Sequence, residues 1–319
     1  MTGTAAHPLS QTQRDDLLYR LAQEYRDLNG TSVDVRAHPP SAIEFARIVN
    51  VGRPVLLKKT PSTQDLPALT KWTNKYLINS MGDRKLSVAV TPDGRADALC
   101  TLPDGTQCFA EPHTEHLTMS ELLNAIVKSE QDPSSEVYYL QSQNGNMYTS
   151  ADFEDDVVEG TSELLPLLGD VPKEVPWASE ALDPYENIYT VIRGAKHFTL
   201  LPPTEGYTLH EQRVPHARYT RPHPSSPLHL ERFVPPSTVR WASVDPFEHE
   251  HALHVTVQEG QSLYLPAGWW HRVAQTGDRE GVCVAVNWWY DVEMSGMKWV
   301  WMSFLRRMAP PEGDEENED

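Results

Sequence analysis

The sequence is short of cysteine, of positive charge and of long apolar stretches, and each shortage excludes a class of protein. The three cysteines, Cys100, Cys108 and Cys283, are odd in number, and none forms a C-x-x-C pair. A disulfide framework needs an even set, and a zinc-thiolate site needs closely spaced pairs. We therefore expect three reduced thiols.

Apolar stretches are no longer than a strand, far below the ~20 residues that span a bilayer, so no membrane partner is expected.

Acidic residues outnumber basic ones, 45 against 27, and the formal net charge is -18. A nucleic acid would be repelled, and none is expected as a partner. The first ten residues hold no basic region followed by an apolar run, which predicts a cytoplasmic protein, with the nucleus left open.

What is present divides the 319 residues into three predicted regions. Residues 1–80 are predicted to be a helical region, because Ser10 precedes a helical apolar spacing that ends before Gly30. Residues 81–308 are predicted to form a β-rich core with a C-terminal helix. Residues 309–319 are predicted to be a disordered acidic tail, too charged to fold alone.

Short β-type segments follow one another from Val137 onward with no helix between them, a pattern typical of a sandwich or jelly-roll barrel. The candidates are 137–141, 188–192, 197–201, 238–242, 253–257, 262–265, 269–273 and 282–287. Residues 202–236 are rich in Pro, His and Arg without periodicity, which predicts a long surface insertion. The last helix, 294–308, is apolar on more than one side and should pack on the barrel or on a second subunit.

The segment GQSLYLPAGWWH, residues 260–271, is the most informative in the chain. Leu263 and Leu265 share one face of a strand, the Pro-Ala-Gly turn follows, and Trp269 and His271 then point the same way. This predicts an imidazole held inside a barrel beside aromatic rings. Taken alone, His271 is either a satisfied core histidine or a metal ligand.

Several separated segments, in a fixed order, carry a family resemblance. They are VAVTPDGRADAL (88–99), VPWASEAL (175–182), YENIY (185–189), GAKHF (194–198) with LPP (201–203), and AVNWWYD (285–291). From about Gly52 to Trp301 the chain resembles the small jumonji-C (JmjC), cupin-like group of iron(II)/2-oxoglutarate-dependent lysyl hydroxylases.

The resemblance implies a mainly β fold with a helical N-terminus (α+β) and a double-stranded β-helix (jelly-roll, cupin) core. It implies iron(II) and 2-oxoglutarate as cofactors and a protein substrate, in this group a lysine of a GTP-binding protein. Because the last helix is apolar on more than one side, a homodimer is also expected.

The family holds iron with an H-x-D motif on one strand and a distal histidine. By resemblance the distal ligand is His271 and the carboxylate is Asp183. The chain has Ala181-Leu182-Asp183 in the place of H-x-D, so the first histidine is absent.

The resemblance also assigns residues to the 2-oxoglutarate site. Lys196 matches the lysine that pairs with the distal carboxylate of 2-oxoglutarate, and Tyr139 matches a tyrosine that hydrogen-bonds the same carboxylate. Asn287 lines the site in related oxygenases. Without the resemblance, Lys196 would be an exposed strand lysine, and Tyr139 and Asn287 would be core residues.

Residues 175–182 and 183–189 match family stretches that are normally well separated, so the core is expected to lack one to two strands. His113-x-Glu115 and His229-x-Glu231 repeat the ligand spacing but lie outside the segment that should face His271. The histidines at 249, 251 and 254 form either an incidental zinc or nickel site or a solvated polar loop.

Three functions therefore remain open. The chain is a JmjC-type protein hydroxylase with impaired activity, a non-catalytic cupin-fold binding protein, or the product of a mis-spliced transcript whose full form is an active hydroxylase.

Overall fold

The computed structural model describes residues 9–58, 66–95, 97–132, 134–141, 162–179, 186–290 and 295–311. Its helices are α1 (Gln11–Asn29), α2 (Ala42–Val51), α3 (Ala68–Lys71), α4 (Asn74–Met81), α5 (Met119–Gln131), α6 (Pro176–Ser179) and α7 (Gly296–Met308). Short 3-10 helices cover Leu165–Asp170, Pro203–Leu209 and Pro246–Glu248. The predicted tail from 312 onward lies outside the described residues. No helix in the described ranges combines the length and apolar character needed to cross a membrane.

The strands run in short segments through the chain. They are β1 (Asp34–Arg36), β2 (Val55–Leu57), β3 (Lys85–Thr91), β4 (Ala98–Thr101), β5 (Gln107–Glu111), β6 (His113–Thr118), β7 (Val137–Tyr139), β8 (Glu186–Arg193), β9 (Ala195–Leu201), β10 (Glu211–Thr220), β11 (His229–Arg232), β12 (Thr238–Ala242), β13 (Leu253–Gln258), β14 (Ser262–Leu265), β15 (Trp270–Thr276) and β16 (Val284–Tyr290). Every strand predicted after Val137 is present within a few residues of its expected bounds.

The N-terminal helices begin and end where their capping residues predict. The Ser10 hydroxyl accepts a hydrogen bond from the backbone N–H of Gln13, whose side chain accepts one from the N–H of Ser10, and this capping box begins α1. Gly52 adopts the left-handed conformation that ends α2. β1 lies between α1 and α2, and β2 follows α2. Both belong to the main sheet, so the region before residue 80 is not purely helical.

Two facing sheets form the jelly-roll core. The larger has the order β1-β2-β14-β8-β16, and the smaller has the order β13-β9-β15. Val191 and Leu263 of the larger sheet pack against Phe198 and Leu200 of the smaller one, and all four are buried. The Tyr189 ring meets the Phe198 ring edge-on at 5.3 Å between centroids. The space between the sheets is therefore the interior of the barrel.

The helices cover the outer face of the larger sheet. Ile188 and Tyr264 are almost fully buried there, together with Phe45 of α2 and Leu122 of α5. The Phe45 and Tyr264 rings are 5.2 Å apart in an edge-to-face contact. The outer face thus has an apolar core of its own, which fixes the helical region on the barrel.

Residues 202–236 contain regular structure that their composition concealed. β10 pairs with β5, β11 and β12, so it lies in the middle of a second group of strands. Val214, Ala217 and Tyr219 are its buried positions. Polar residues and Pro215 stand between them, which hid the alternation that marks a strand.

Candidate functional site

Hydrogen bonds to one buried carboxylate hold the turn before His271. Glu186 accepts a hydrogen bond from the Tyr264 hydroxyl at 2.7 Å and one from the Ala267 backbone N–H at 3.2 Å. Its other oxygen accepts one from Lys298 of α7 at 2.9 Å. Gly268 has φ 84°, and a Cβ there would lie 2.2 Å from the Met302 methyl group, so the turn requires glycine. The start of β15 is thereby fixed.

His271 lies at the second position of β15, with Nδ1 3.1 Å from the Trp269 carbonyl oxygen. A carbonyl only accepts, so Nδ1 is the donor in this contact. The prediction that this imidazole is enclosed was wrong, because it is exposed. The reason is that β15 is the outer strand of the smaller sheet.

In the described ranges, β15 and β16 are each the last strand at one edge of their sheet. His271, Val273 and Gln275 pair in register with Leu200, Phe198 and Lys196, which places their side chains on the inner face. All three are nevertheless exposed, Val273 by 40%.

On β16, Trp289 shares the inner row with Asn287 and is 53% exposed. Side chains on the inner face of β15 and of β16 are therefore exposed to solvent. Exposure of this kind is what the loss of one or two strands would leave.

The described residues do not assemble an iron site. No group of three histidine, cysteine, aspartate or glutamate side chains in the described ranges is placed to hold a metal ion. Asp183, the expected carboxylate ligand, lies outside those ranges. Around His271, the described residues do not supply the three protein ligands that this kind of iron(II) site needs.

The alternative histidines lie elsewhere. Those of the two H-x-E pairs are on β6 and β11, in sheets separate from β15. Glu115 pairs with Arg221 at 3.1 Å, and His229 contacts its own neighbour Glu231 at 3.0 Å. The rings of His249 and His251 are 5.7 Å apart, but these two do not form part of a three-ligand group in the described chain.

Lys196 is half-buried on the inner face of β9. Its Nζ donates a hydrogen bond to Gln275 Oε1 at 2.6 Å and lies 5.9 Å from the centroid of the Tyr189 ring. Burial lowers the pKa of Lys196, and the nearby Cys283 opposes this shift. No carboxylate in the described ranges forms an ion pair with it. An ammonium with only an amide partner is suited to bind an incoming carboxylate.

Asn287 of β16 pairs in register with Tyr189, so Asn287 and Lys196 adjoin the same tyrosine. Tyr139 is placed differently, on β7 opposite Ala89. Its hydroxyl is buried and has no hydrogen-bond partner among the described residues, and burial together with the charge of Asp97 raises its pKa. The structure thus brings two of the three expected carboxylate-site residues to one tyrosine, and no hydrogen bond joins the third to them.

Sequence reasoning missed two polar residues at the start of β8. Glu186 anchors the turn before His271. Asn187 is 4% exposed, and its side-chain oxygen has no hydrogen-bond partner within the part of the chain that the structure describes. Asn187 pairs with Leu265 and Trp289, on the inner face beside the opening. The available signal was a Glu-Asn pair opening an otherwise apolar strand, because buried polar groups without partners are rare outside functional sites.

This barrel with its inward-facing lysine and edge histidine belongs to a recognised class. The chain is a member of the cupin-like domain family, whose model matches residues 40–296. Its relatives are JmjC proteins. It is 31% identical over 330 residues to the lysine-specific demethylase JMJ32 of Arabidopsis thaliana, covering 90% of each chain.

Two further relatives match over most of their length. The chain is 28% identical to JmjC domain-containing protein E of Dictyostelium discoideum, covering 92% of this chain and 93% of that one. It is 32% identical to the human bifunctional peptidase and (3S)-lysyl hydroxylase JMJD7, covering 86% and 89%.

The plant alignment also contains positions that face gaps in this chain. It runs over 330 positions, whereas 90% of 319 residues is about 287, so about 43 positions hold residues only in the relative. That total exceeds the ~5–6 residues of a single strand.

Proposed function

We propose that this chain is a JmjC-type iron(II)/2-oxoglutarate-dependent protein hydroxylase whose activity is impaired because its metal site is incomplete. One observation carries the proposal. Lys196 is half-buried on the inner face of the barrel without a carboxylate partner, while His271 of the same sheet has no ligand set around it in the described ranges. The position of Lys196 supports binding of 2-oxoglutarate. The missing ligands around His271 support the inference that oxygenation is inefficient.

The residues of this chain suit 2-oxoglutarate better than they suit iron(II). Lys196 would hold the distal carboxylate of 2-oxoglutarate, with Asn287 lining the site and Tyr139 as its third residue. Asp183 and His271 would be the two protein ligands left for iron(II). When bound, the cofactor pair supplies the oxidant for C–H hydroxylation. Two ligands in place of three predict weak metal occupancy, since affinity follows ligand number and geometry.

The substrate class is proposed from the relatives. A human relative is named as a lysyl hydroxylase, so we propose a lysine of a protein as the target. The resemblance narrows this to a GTP-binding protein. The proposed location is the cytoplasm, with the nucleus left open, and the proposed assembly is a homodimer through α7.

Two alternatives have an observation in their favour. A non-catalytic cupin-fold protein that binds a carboxylate would keep Lys196 and need no metal ligands. A mis-spliced transcript would explain both the solvent exposure on the inner face of β15 and β16 and the missing positions in the alignment. Sequencing the transcript across the codons for Leu182 and Asp183 tests the second alternative, because a longer message there would restore the strands.

The test of function is succinate production with iron(II), 2-oxoglutarate and a basic substrate peptide, with the human relative as positive control. We expect little or no turnover, together with measurable binding of 2-oxoglutarate. Turnover equal to that of the relative, and lost in His271→Ala, would contradict impairment and imply that another histidine, from the group at 249, 251 and 254, completes the site. Absence of both turnover and binding would reject the carboxylate site.

A further inference from the structure

Two of the three cysteines lie directly opposite each other in a β-hairpin. β4 and β5 are antiparallel, with Cys100 paired in register to Cys108. The hairpin closes with a hydrogen bond of 2.9 Å from the Leu102 N–H to the Thr106 carbonyl. Residues directly opposite in a ladder project to the same face, so the two thiols emerge side by side.

The surroundings distinguish the two sulfur atoms. Cys108 is fully buried and Cys100 is half-buried, and both belong to a small apolar cluster with Leu102 and Ala217. Burial raises the pKa of the Cys108 thiol, with a further contribution from Cys100. Cys108 is therefore the protonated, sheltered member of the pair.

A hydroxyl group contacts the outer thiol. The Tyr219 hydroxyl donates a hydrogen bond to Cys100 Sγ at 3.2 Å. Burial raises the pKa of Tyr219, so the phenol keeps its proton and remains a donor at neutral pH. The outer sulfur therefore has a proton donor directly beside it, and the reactive form of a cysteine is the thiolate.

The backbone geometry suits a bond between these sulfur atoms. The hydrogen bond between Leu102 and Thr106 makes every second pair of the hairpin, including Cys100 and Cys108, a hydrogen-bonded pair. The Cα atoms of such a pair are about 5.5 Å apart, within the ~4.4–6.8 Å that disulfides use. Their Cβ atoms, about 4.5–5.5 Å apart, are at the upper end of the ~3.5–4.5 Å range of disulfides. A bond here would draw the strands together and carry strain, and strained disulfides are the easily reduced ones.

We propose that Cys100 and Cys108 form a reversible dithiol–disulfide site. With hydrogen peroxide as oxidant, the Cys100 thiolate attacks one oxygen, the O–O bond breaks, and a sulfenic acid and hydroxide result. The Cys108 sulfur then attacks the Cys100 sulfur, the S–O bond breaks, and the hydroxyl group leaves as water with the proton of Cys108. The hydroxide takes up the proton that Cys100 released on forming its thiolate. Overall, two thiols lose two electrons and two protons, and one peroxide becomes two waters. A reducing dithiol reverses the bond by exchange.

The test uses the full chain, reduced and then exposed to hydrogen peroxide, quenched with acid and alkylated. No lysine or arginine stands between Arg95 and Lys128, so trypsin leaves both cysteines in one peptide, residues 96–128. We expect two of the three thiols to resist alkylation and this peptide to lose the mass of two hydrogen atoms. Dithiothreitol should restore both thiols.

Three variants separate this bond from unspecific oxidation. Cys100→Ser should abolish the mass loss, while Cys283→Ser should leave it unchanged. Tyr219→Phe keeps the ring and should slow the oxidation severalfold without changing its product. The proposal fails if all three thiols stay alkylatable under oxidant in a protein that circular dichroism shows to be folded. It also fails if Cys100 ends as a sulfinic acid or is joined to Cys283 or to another chain.

Discussion

The Lys196 side chain is held by neutral groups in a partly buried place. Its ammonium faces the Gln275 amide and the Tyr189 ring, and burial lowers its pKa. A positive charge in a partly buried position is poorly solvated. A carboxylate ligand should therefore bind more tightly to this lysine than to a lysine on the surface. This makes Lys196 the residue at which the proposed co-substrate site is best tested.

Replacing Lys196 by methionine should weaken 2-oxoglutarate binding by about 10- to 100-fold, because a hydrogen bond to a charged group contributes ~1.5–3 kcal/mol. Isothermal titration calorimetry measures the change. Lys128→Met, at an exposed position of α5, is the matched control and should bind as the unaltered chain does. Equal affinity in both variants would place the carboxylate site elsewhere.

Binding should also depend on pH in a direction set by the same lysine. Because burial lowers the pKa of Lys196 below its ordinary 10.5, the ammonium loses its proton at a lower pH than a free lysine. Affinity for 2-oxoglutarate should therefore fall as pH rises through this lowered pKa, below pH 10.5. Without ligand, stability should change in the opposite sense, rising between the lowered pKa and 10.5 as the cost of the buried charge disappears. Lys196→Arg should flatten the binding profile, and a profile equally steep in that variant would assign the effect to another group.

At the scale of elements, Arg193 joins β8 to its neighbours. Its guanidinium donates to Asp278 at 2.8 Å, to Glu280 at 2.7 Å and to the Asn74 side chain of α4 at 2.8 Å. The next residue, Gly194, has φ 72°, and a Cβ there would lie 2.5 Å from the Thr276 carbonyl oxygen. The end of β8 is thus tied to a helix and to the loop between β15 and β16.

Arg193→Met should lower the free energy of unfolding by about 2–3 kcal/mol, below the ~3–5 kcal/mol of a fully buried pair because Glu280 is partly exposed. Urea denaturation followed by circular dichroism measures the difference. Arg20→Met breaks an exposed pair with Asp16 on α1 and should cost less than ~0.5 kcal/mol. Similar losses in the two variants would mean that the Arg193 contacts contribute little.

The outer position of β15 predicts uneven backbone protection. β8 has paired strands on both sides, β14 and β16, whereas β15 pairs in the described ranges with β9 alone. Amides of β15 should therefore exchange with deuterium at least ~10-fold faster than those of β8, because opening an outer strand exposes less apolar surface. Peptide-level mass spectrometry resolves the two strands. Comparable protection would show that β15 is covered on its outer side.

At the scale of the whole molecule, α7 carries an apolar stripe that the described part of the chain leaves exposed. The stripe consists of Met297 (78% exposed), Val300 (61%), Trp301 (45%) and Phe304 (45%). Their spacing puts them on one helix face. Such a surface, continuous and apolar, is typical of a subunit contact.

Val300→Glu should therefore convert a dimer into a monomer, since it places a charge in the middle of the stripe while the side chain is too exposed to support the fold. Light scattering after size-exclusion chromatography gives the mass. Leu28→Glu, at a 79% exposed position of α1, is the control and should remain dimeric. An unaltered chain that is monomeric at tens of micromolar would remove α7 as the interface.

The sequence by itself determined the local elements and the class of fold. Ser10 and Gly30 marked the limits of α1, and β12 and β14 have the predicted bounds, because capping groups and alternating apolar residues act over a few positions. The tertiary structure alone decided which strands pair and which remain outermost. It placed β5 beside β10 across about a hundred residues, buried Asn187 and exposed His271. Pairing of distant strands depends on the whole chain, and whether an inward-facing side chain is enclosed depends on the strand beside it, so neither can be read from local sequence.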